Sequence, residues 1–298
     1  MRKKWQPLVA VGVAVGVGGF LLRQYQEQKE VAALPAFNIR YGPWAIVTGA
    51  ARAEGLGYGF ARRLAGEQIN LVLVDILADE LAARAAELHQ KYLVKVKPVV
   101  LDLGQPDFIS RLLAETDGLE IGLLVCNHMF IPPDPPSILD MDLAIHYRML
   151  DINARAYTTL VHTYGRQMKA NQRGGIILVS SGAGLRGTAY IGAYSANKAF
   201  QFMLGESLWY ELLGTGVDVL VLAPGLTRTQ GDALDGYPAF MLMGVDPVVA
   251  ETLRSLGRKH VVIPGPINKA FDFMTGRLMS RRKAVLTTGE MMAKGLGK

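Results

Sequence analysis

Six short, nearly uninterrupted apolar runs, at 44–48, 71–74, 98–101, 123–126, 176–179 and 217–222, alternate with longer amphipathic stretches. Strands that are apolar on both faces cannot leave either face in water, and separation by helix-length segments calls for crossover connections. The pattern predicts an α/β domain in which a parallel sheet is covered by helices on both sides. Helices are expected near 58–66, 78–91, 106–116, 139–171, 194–213 and 247–256. With half of its 298 residues hydrophobic, the chain can bury a sizeable core. No linker or repeat interrupts 41–265, which reads as a single domain.

The first run leads into Thr48-Gly49-Ala50-Ala51-Arg52-Ala53-Glu54-Gly55-Leu56-Gly57. Glycines between a strand and a helix permit a tight turn and let a pyrophosphate approach the backbone N–H groups that open the helix. Asp75, at the end of the next run, is placed to accept hydrogen bonds from the ribose hydroxyls and to repel a 2′-phosphate. That favours NAD, with NADP kept open because Arg52 offers a guanidinium in the same loop. Asp75 is also suited to capping the helix that follows.

Tyr194-Ser195-Ala196-Asn197-Lys198 places a phenol and an ammonium one helical turn apart on one face. A free tyrosine titrates at about 10, and a neighbouring cation favours its phenolate, which brings it into range as an acid or base. Ser180-Ser181 closes the preceding apolar run, where a hydroxyl could reach the same reacting oxygen. A surface Tyr–Lys pair is the plainer alternative.

Net charge is +6, unevenly spread. Residues 1–40 carry six basic against two acidic side chains and 258–298 nine against two, leaving the body between them at about −5. Without a nucleic-acid motif, basic ends suggest attraction to anionic lipid or ordinary solubility. Arg2-Lys3-Lys4-Trp5 precedes an uncharged apolar run over 7–22. As a helix it would measure about 24 Å, slightly under a hydrocarbon core of about 30 Å. Residues 1–30 are therefore expected to form an N-terminal membrane anchor, single-pass or monotopic, with the catalytic domain facing the cytosol. A cleaved signal is the alternative, but no convincing cleavage site follows. The tail, 266–298, mixes Phe271, Met274 and Leu278 at helical spacing with basic residues; it suits a membrane-surface helix, a partner contact or packing against the domain. Cys126 has no second cysteine to pair with, and the histidines show no metal-ligand spacing.

Taken together, these motifs resemble the short-chain dehydrogenase/reductase family over 44 to about 262. The resemblance implies a doubly wound Rossmann fold. Thr48, Gly49, Gly55 and Gly57 are similar to its T-G-x-x-x-G-x-G, with two extra residues in the turn. Asp102 and Leu103 match its adenine-contacting position, Asn127 is what remains of its N-N-A-G, and Pro224-Gly225 matches its nicotinamide motif, with Thr227 and Thr229 beside it. His128 and Met129 replace small residues and are expected to crowd the cofactor floor. Asn153, Ser181, Tyr194 and Lys198 fill the family's catalytic tetrad, which implies hydride transfer to nicotinamide while Tyr194 exchanges the proton. Asn153 would then hold a water linking Lys198 to solvent. Members usually form homodimers or homotetramers through the long helices.

Substrate residues are expected in 226–246, where Tyr237, Phe240, Met241 and Met243 suit an apolar, adaptable pocket. With the anchor, they point to a lipophilic alcohol or ketone of steroid, retinoid or long-acyl type. A catalytically silent dinucleotide-binding scaffold or redox sensor is the competing reading.

Overall fold

The computed structural model describes residues 35–132, 137–229, 237 and 239–295. All that follows belongs to the unit Phe37–Lys298. The expected anchor, 1–30, lies outside the described residues, and no helix among the described ones is long and apolar enough to cross a membrane.

Seven strands form one parallel sheet: β1 Trp44–Thr48, β2 Asn70–Asp75, β3 Val96–Val100, β4 Ile121–Cys126, β5 Gly174–Val179, β6 Val217–Leu222 and β7 Val261–Val262. Their order is β3-β2-β1-β4-β5-β6-β7. All six expected runs are strands, and β4 and β5 are buried along their whole length.

Side chains alternate between the two faces of a strand, so each strand feeds two cores. Val47, Leu73, Val125 and Ile177 pack with Phe60 and Leu64 of α2 (Leu56–Gly66), Leu81 and Leu88 of α3 (Ala78–Tyr92) and Val248 of α8 (Val245–Ser255). Their neighbours Ile46, Val72, Leu124 and Ile176 pack on the other face with Phe108 of α4 (Phe108–Glu115) and with Tyr157, Leu160 and Tyr164 of α6 (Ala156–Ala170). A short α1 (Phe37–Tyr41) is tied to β6 where Arg40 and Tyr41 both donate to Asp218, at 2.6 and 2.7 Å.

The helix expected over 139–171 is not uniform. It begins as α5 (Leu143–Leu150), widens into a π turn at Asp151–Arg155 and resumes as α6. Such widenings concentrate at functional sites. The following helix, α7 (Gly192–Glu211), carries Tyr194 and Lys198. The tail folds into α9 (Pro266–Phe273), a second π turn (Met274–Leu278) and α10 (Arg281–Gly295).

Candidate active site

Strand order reverses between β1 and β4, and in sheets of this kind the crevice at the carboxyl ends of those strands receives ligands. The cofactor and catalytic candidates singled out from the sequence lie at or follow the ends of β1 to β6, except Asn153 in the π turn and Tyr194 and Lys198 on α7.

Gly49 leaves β1 with φ +67, a conformation that suits glycine. Gly57 sits so close to it that a Cβ would lie 2.0 Å from the Gly49 carbonyl oxygen and 2.7 Å from Asn127 Nδ2. Helix α2 opens at Gly55 with no side-chain cap, so its first turn presents uncapped N–H groups. Leu56 is half-buried against the core and Arg52 is exposed. An uncapped helix N-terminus beside a turn with no room for side chains fits a dinucleotide pyrophosphate.

Asp75 does not cap α3, whose first residues follow Leu77. Its Oδ2 instead accepts from Ala51 N at 3.0 Å, and Oδ1 from Ile76 N at 2.7 Å and Leu77 N at 3.2 Å. A carboxylate has about four acceptor positions, so one remains for a ligand hydroxyl. Asp102 accepts from Gly104 N, Gln105 and Arg148, the last at 2.9 Å. Burial pushes the Asp102 carboxyl up, but Arg148, Gln105 and the Gly104 amide outweigh it and hold the group below its ordinary range. Leu103 beside it packs into the core.

Asn127 holds the turn from behind, its Nδ2 donating to the carbonyls of Thr48 and Gly49 at 3.1 Å each. His128 does not project into the crevice floor. It is buried and tilted against the Tyr157 ring, with centroids 4.5 Å apart, while Met129 is exposed. The expected crowding therefore falls on the protein interior: β4 turns the imidazole inward.

Tyr194 and Lys198 lie on one face of α7, with the ammonium 5.7 Å from the phenol ring centre. Lys198 is 2% exposed, and Nζ donates to the Val179 carbonyl at 2.8 Å and to Gln201 Oε1 at 3.0 Å. Burial brings its pKa down to about 7. Burial raises the Tyr194 phenol, and a hydrogen bond with Ser181 acts against that rise. The two serines separate by role: Ser180 is buried and donates to the Lys198 carbonyl at 2.7 Å, whereas Ser181 is the one that reaches Tyr194.

Asn153 lies in the π turn and is 1% exposed. Its side chain is matched to the backbone of Phe130, Oδ1 accepting from N and Nδ2 donating to O, each at 2.7 Å. Its own carbonyl accepts from Gln201 Nε2 at 2.7 Å. The Gln201 amide thus bridges Lys198 Nζ and the Asn153 carbonyl. Gln201 was legible in principle: it continues the Tyr194, Lys198 stripe at i+7 from the tyrosine.

After β6, Thr227 is buried with its hydroxyl donating to the Gly225 carbonyl at 3.1 Å, and Thr229 donates to the Thr227 carbonyl at 3.3 Å. Pro224 receives Gly182 N at 2.8 Å, which joins this motif to the serine turn. Of the expected substrate residues, Tyr237 is buried with its hydroxyl 3.5 Å from Met292 Sδ of α10. Phe240 is 69% exposed, Met241 is partly buried beside it in a short 3-10 turn, and Met243 packs on the core and toward Asn268. The structure does not bring these four together at Tyr194. A narrow apolar cleft opens there instead, lined by Ile131, Ile138, Met141, Met149, Ala193 and Tyr194 itself among others.

A parallel sheet with a ligand-ready glycine turn at its reversal, and a serine, tyrosine and lysine gathered across the crevice, defines a dinucleotide-dependent oxidoreductase. Residues 43–235 match the short chain dehydrogenase family, and the chain belongs to it. It is similar to the 7beta-hydroxysteroid dehydrogenase of Collinsella aerofaciens, 33% identical over 240 residues, covering 77% of this chain and 89% of that protein. It is also 29% identical to the very-long-chain 3-oxoacyl-CoA reductase of Homo sapiens over 63% of this chain and 61% of the relative. A solved 7beta-hydroxysteroid dehydrogenase superposes with a TM-score of 0.80 at 28% identity, covering 85% of this chain and 99% of its own. A short-chain dehydrogenase from Sphingobium yanoikuyae in complex with NADPH has a TM-score of 0.68 at 25% identity, covering 83% and 96%.

Proposed function

We propose that the protein oxidises or reduces a lipophilic alcohol–ketone pair of steroid or long-acyl type, with NAD as the preferred dinucleotide. The observation that carries this reading is Tyr194: its phenol bonds Ser181, the buried Lys198 ammonium stands 5.7 Å from its ring centre, and the ring lines an apolar cleft.

The dinucleotide, when bound, supplies or accepts the hydride at its nicotinamide ring. Gly49, Gly55 and Gly57 would seat the pyrophosphate, Asp75 the adenosine ribose, Asp102 and Leu103 the adenine side, and Pro224, Gly225, Thr227 and Thr229 the nicotinamide end. Ser181 holds the substrate oxygen by a hydrogen bond and stabilises the charge that develops on it. Tyr194 gives its proton to that oxygen in reduction and takes it in oxidation. Lys198 lowers the cost of the phenolate by its charge. Ile138, Met141 and Met149 hold apolar substrate and exclude water. The hydroxysteroid and 3-oxoacyl relatives support this substrate class.

Residues 1–30 are proposed as a membrane anchor with the catalytic domain on the cytosolic side. Exposed Phe273 and Leu278 among exposed Arg277, Arg281, Arg282 and Lys283 support contact of the tail with lipid. Exposed Leu143, Tyr147 and Leu150 on α5, with Met203 and Tyr210 on α7, support a homodimer or homotetramer through these helices.

Turnover of steroid, long-acyl, retinoid and short polar carbonyls with NADH and with NADPH, using Tyr194→Phe as control, tests the reading. Activity on a lipophilic ketone that disappears in the variant while NADH still binds is the expected result. Preference for short polar carbonyls, or turnover that survives the substitution, overturns it.

A further inference from the structure

We infer that Gln201 is a positioning residue of the proton-transfer pair, its side-chain amide fastening the Lys198 ammonium to the backbone of the π turn at Asn153. The inference rests on the reading of Tyr194 and Lys198 as the acid–base pair.

Gln201 is fully buried on α7, one turn beyond Lys198. Its Oε1 accepts from Lys198 Nζ at 3.0 Å and its Nε2 donates to the Asn153 carbonyl at 2.7 Å. The orientation of the amide follows from its partners, since an ammonium can only donate and a carbonyl can only accept. Two consecutive carbonyls of the π turn are engaged by side chains, Ile152 by His128 Nε2 at 3.0 Å and Asn153 by Gln201. The turn therefore serves as a fixed frame to which both β4 and α7 are tied.

The electrical setting makes this acceptor important. The titratable groups that face Lys198 are Tyr194 on its own helix, His128 after β4, and Tyr157 on α6, which shares the Val179 carbonyl with the ammonium; burial keeps the last two neutral. No carboxylate forms an ion pair with Lys198 among the described residues, and burial is what shifts it. The ammonium is held by the Val179 carbonyl and the Gln201 amide, both neutral, so its charge is not cancelled by a counter-ion. An amide that bonds the charged form favours it. Removing that acceptor leaves a buried N–H without its partner and makes the ammonium less favourable, so that Lys198 gives up its proton at lower pH. Gln201 neither ionises nor touches the reacting atoms; it sets where the lysine charge stands.

The test is the titration of Lys198 in the full-length protein, without substrate or dinucleotide, followed by the chemical shift of the lysine Cε resonance in carbon-13-labelled protein. In each background the Lys198 signal is identified as the one missing from the same protein carrying Lys198→Met. Gln201→Met, close in volume but unable to accept or donate, is expected to move the Lys198 titration downward by about one pH unit, a tenfold change in proton affinity. Gln201→Ser, too short to reach both partners, should move it in the same direction and serves if the methionine variant does not fold. A titration unmoved in a folded variant, whatever its thermal stability, overturns the inference and reduces Gln201 to packing. A protein that turns over no lipophilic carbonyl yet shows the shift would overturn the substrate reading and leave this one standing.

Discussion

Thr48 Oγ1 and His128 Nδ1 lie 2.7 Å apart beneath the glycine turn. His128 Nε2 faces the Ile152 carbonyl and must carry the proton, so Nδ1 accepts from the threonine hydroxyl. That hydroxyl in turn accepts from the N–H groups of Asn127 and His128, at 3.0 and 3.2 Å. One histidine tautomer thereby ties β1, β4 and the π turn together.

Burial first, and the Lys198 cation second, hold the His128 pKa down to about 3. The unfolded chain binds a proton near 6.5 that the folded chain refuses until about 3, so stability is present above 6.5 and is lost as pH falls through that window. Urea unfolding of wild type and His128→Gln between pH 6 and pH 4 should show wild type losing stability more steeply, by up to about 1.4 kcal/mol per pH unit. Parallel slopes would mean that the imidazole is not the group responsible.

Gly57→Ala should destabilise by about 3 kcal/mol or more, because the new methyl meets the fixed Gly49 carbonyl. Gly187→Ala, where nothing lies within 4 Å of the added carbon, should stay within about 0.5 kcal/mol. Thermal unfolding of both, with NADH binding followed by fluorescence, distinguishes steric exclusion at the turn from a general intolerance of the fold.

Lys198 costs stability for as long as it is charged and buried. Its folded pKa of about 7 lies below the unfolded value, so the penalty is complete below about pH 7 and fades as pH rises towards about 10. Lys198→Met should abolish turnover yet stabilise the protein by about 2–4 kcal/mol at pH 6, with the gain shrinking on the alkaline side. A variant less stable than wild type at pH 6 contradicts the assignment of that cost to the buried ammonium.

Asp75→Ala removes both the acceptor proposed for the adenosine ribose and the bond to Ala51 N. NAD affinity is expected to fall by about tenfold, while NADP loses less or gains, since the repulsion of its phosphate is relieved. Titrating the two oxidised dinucleotides against both proteins gives the ratio directly. A wild type that already binds NADP more tightly removes the basis of the NAD preference.

Much of this architecture can be read from residue order because buried parallel strands must be apolar on both faces. The runs at 123–126 and 176–179 say as much, and the Tyr194–Lys198 spacing fixes a helical face. What could not be read depends on how distant segments meet. Tyr237 looks like a pocket residue until α10 folds over it, and Met149 looks like ordinary helix packing until it faces Tyr194 across a cleft. The π turn is invisible for a different reason: Asp151-Ile152-Asn153-Ala154-Arg155 contains no proline or glycine, and a widened turn differs from an α turn by the pairing of its carbonyls.

That turn acts as a spacer in a screw thread. Each residue of an α-helix advances the azimuth by roughly 100°, so one surplus residue resets the phase of all that follows. Met149 can point at the cleft while Tyr157 and Tyr164 point at the sheet because the two halves are offset. Shortening 151–155 by one residue would restore an even helix and swing one set of contacts away from its target. The segment should therefore tolerate exchanges of side chain far better than any change in its length.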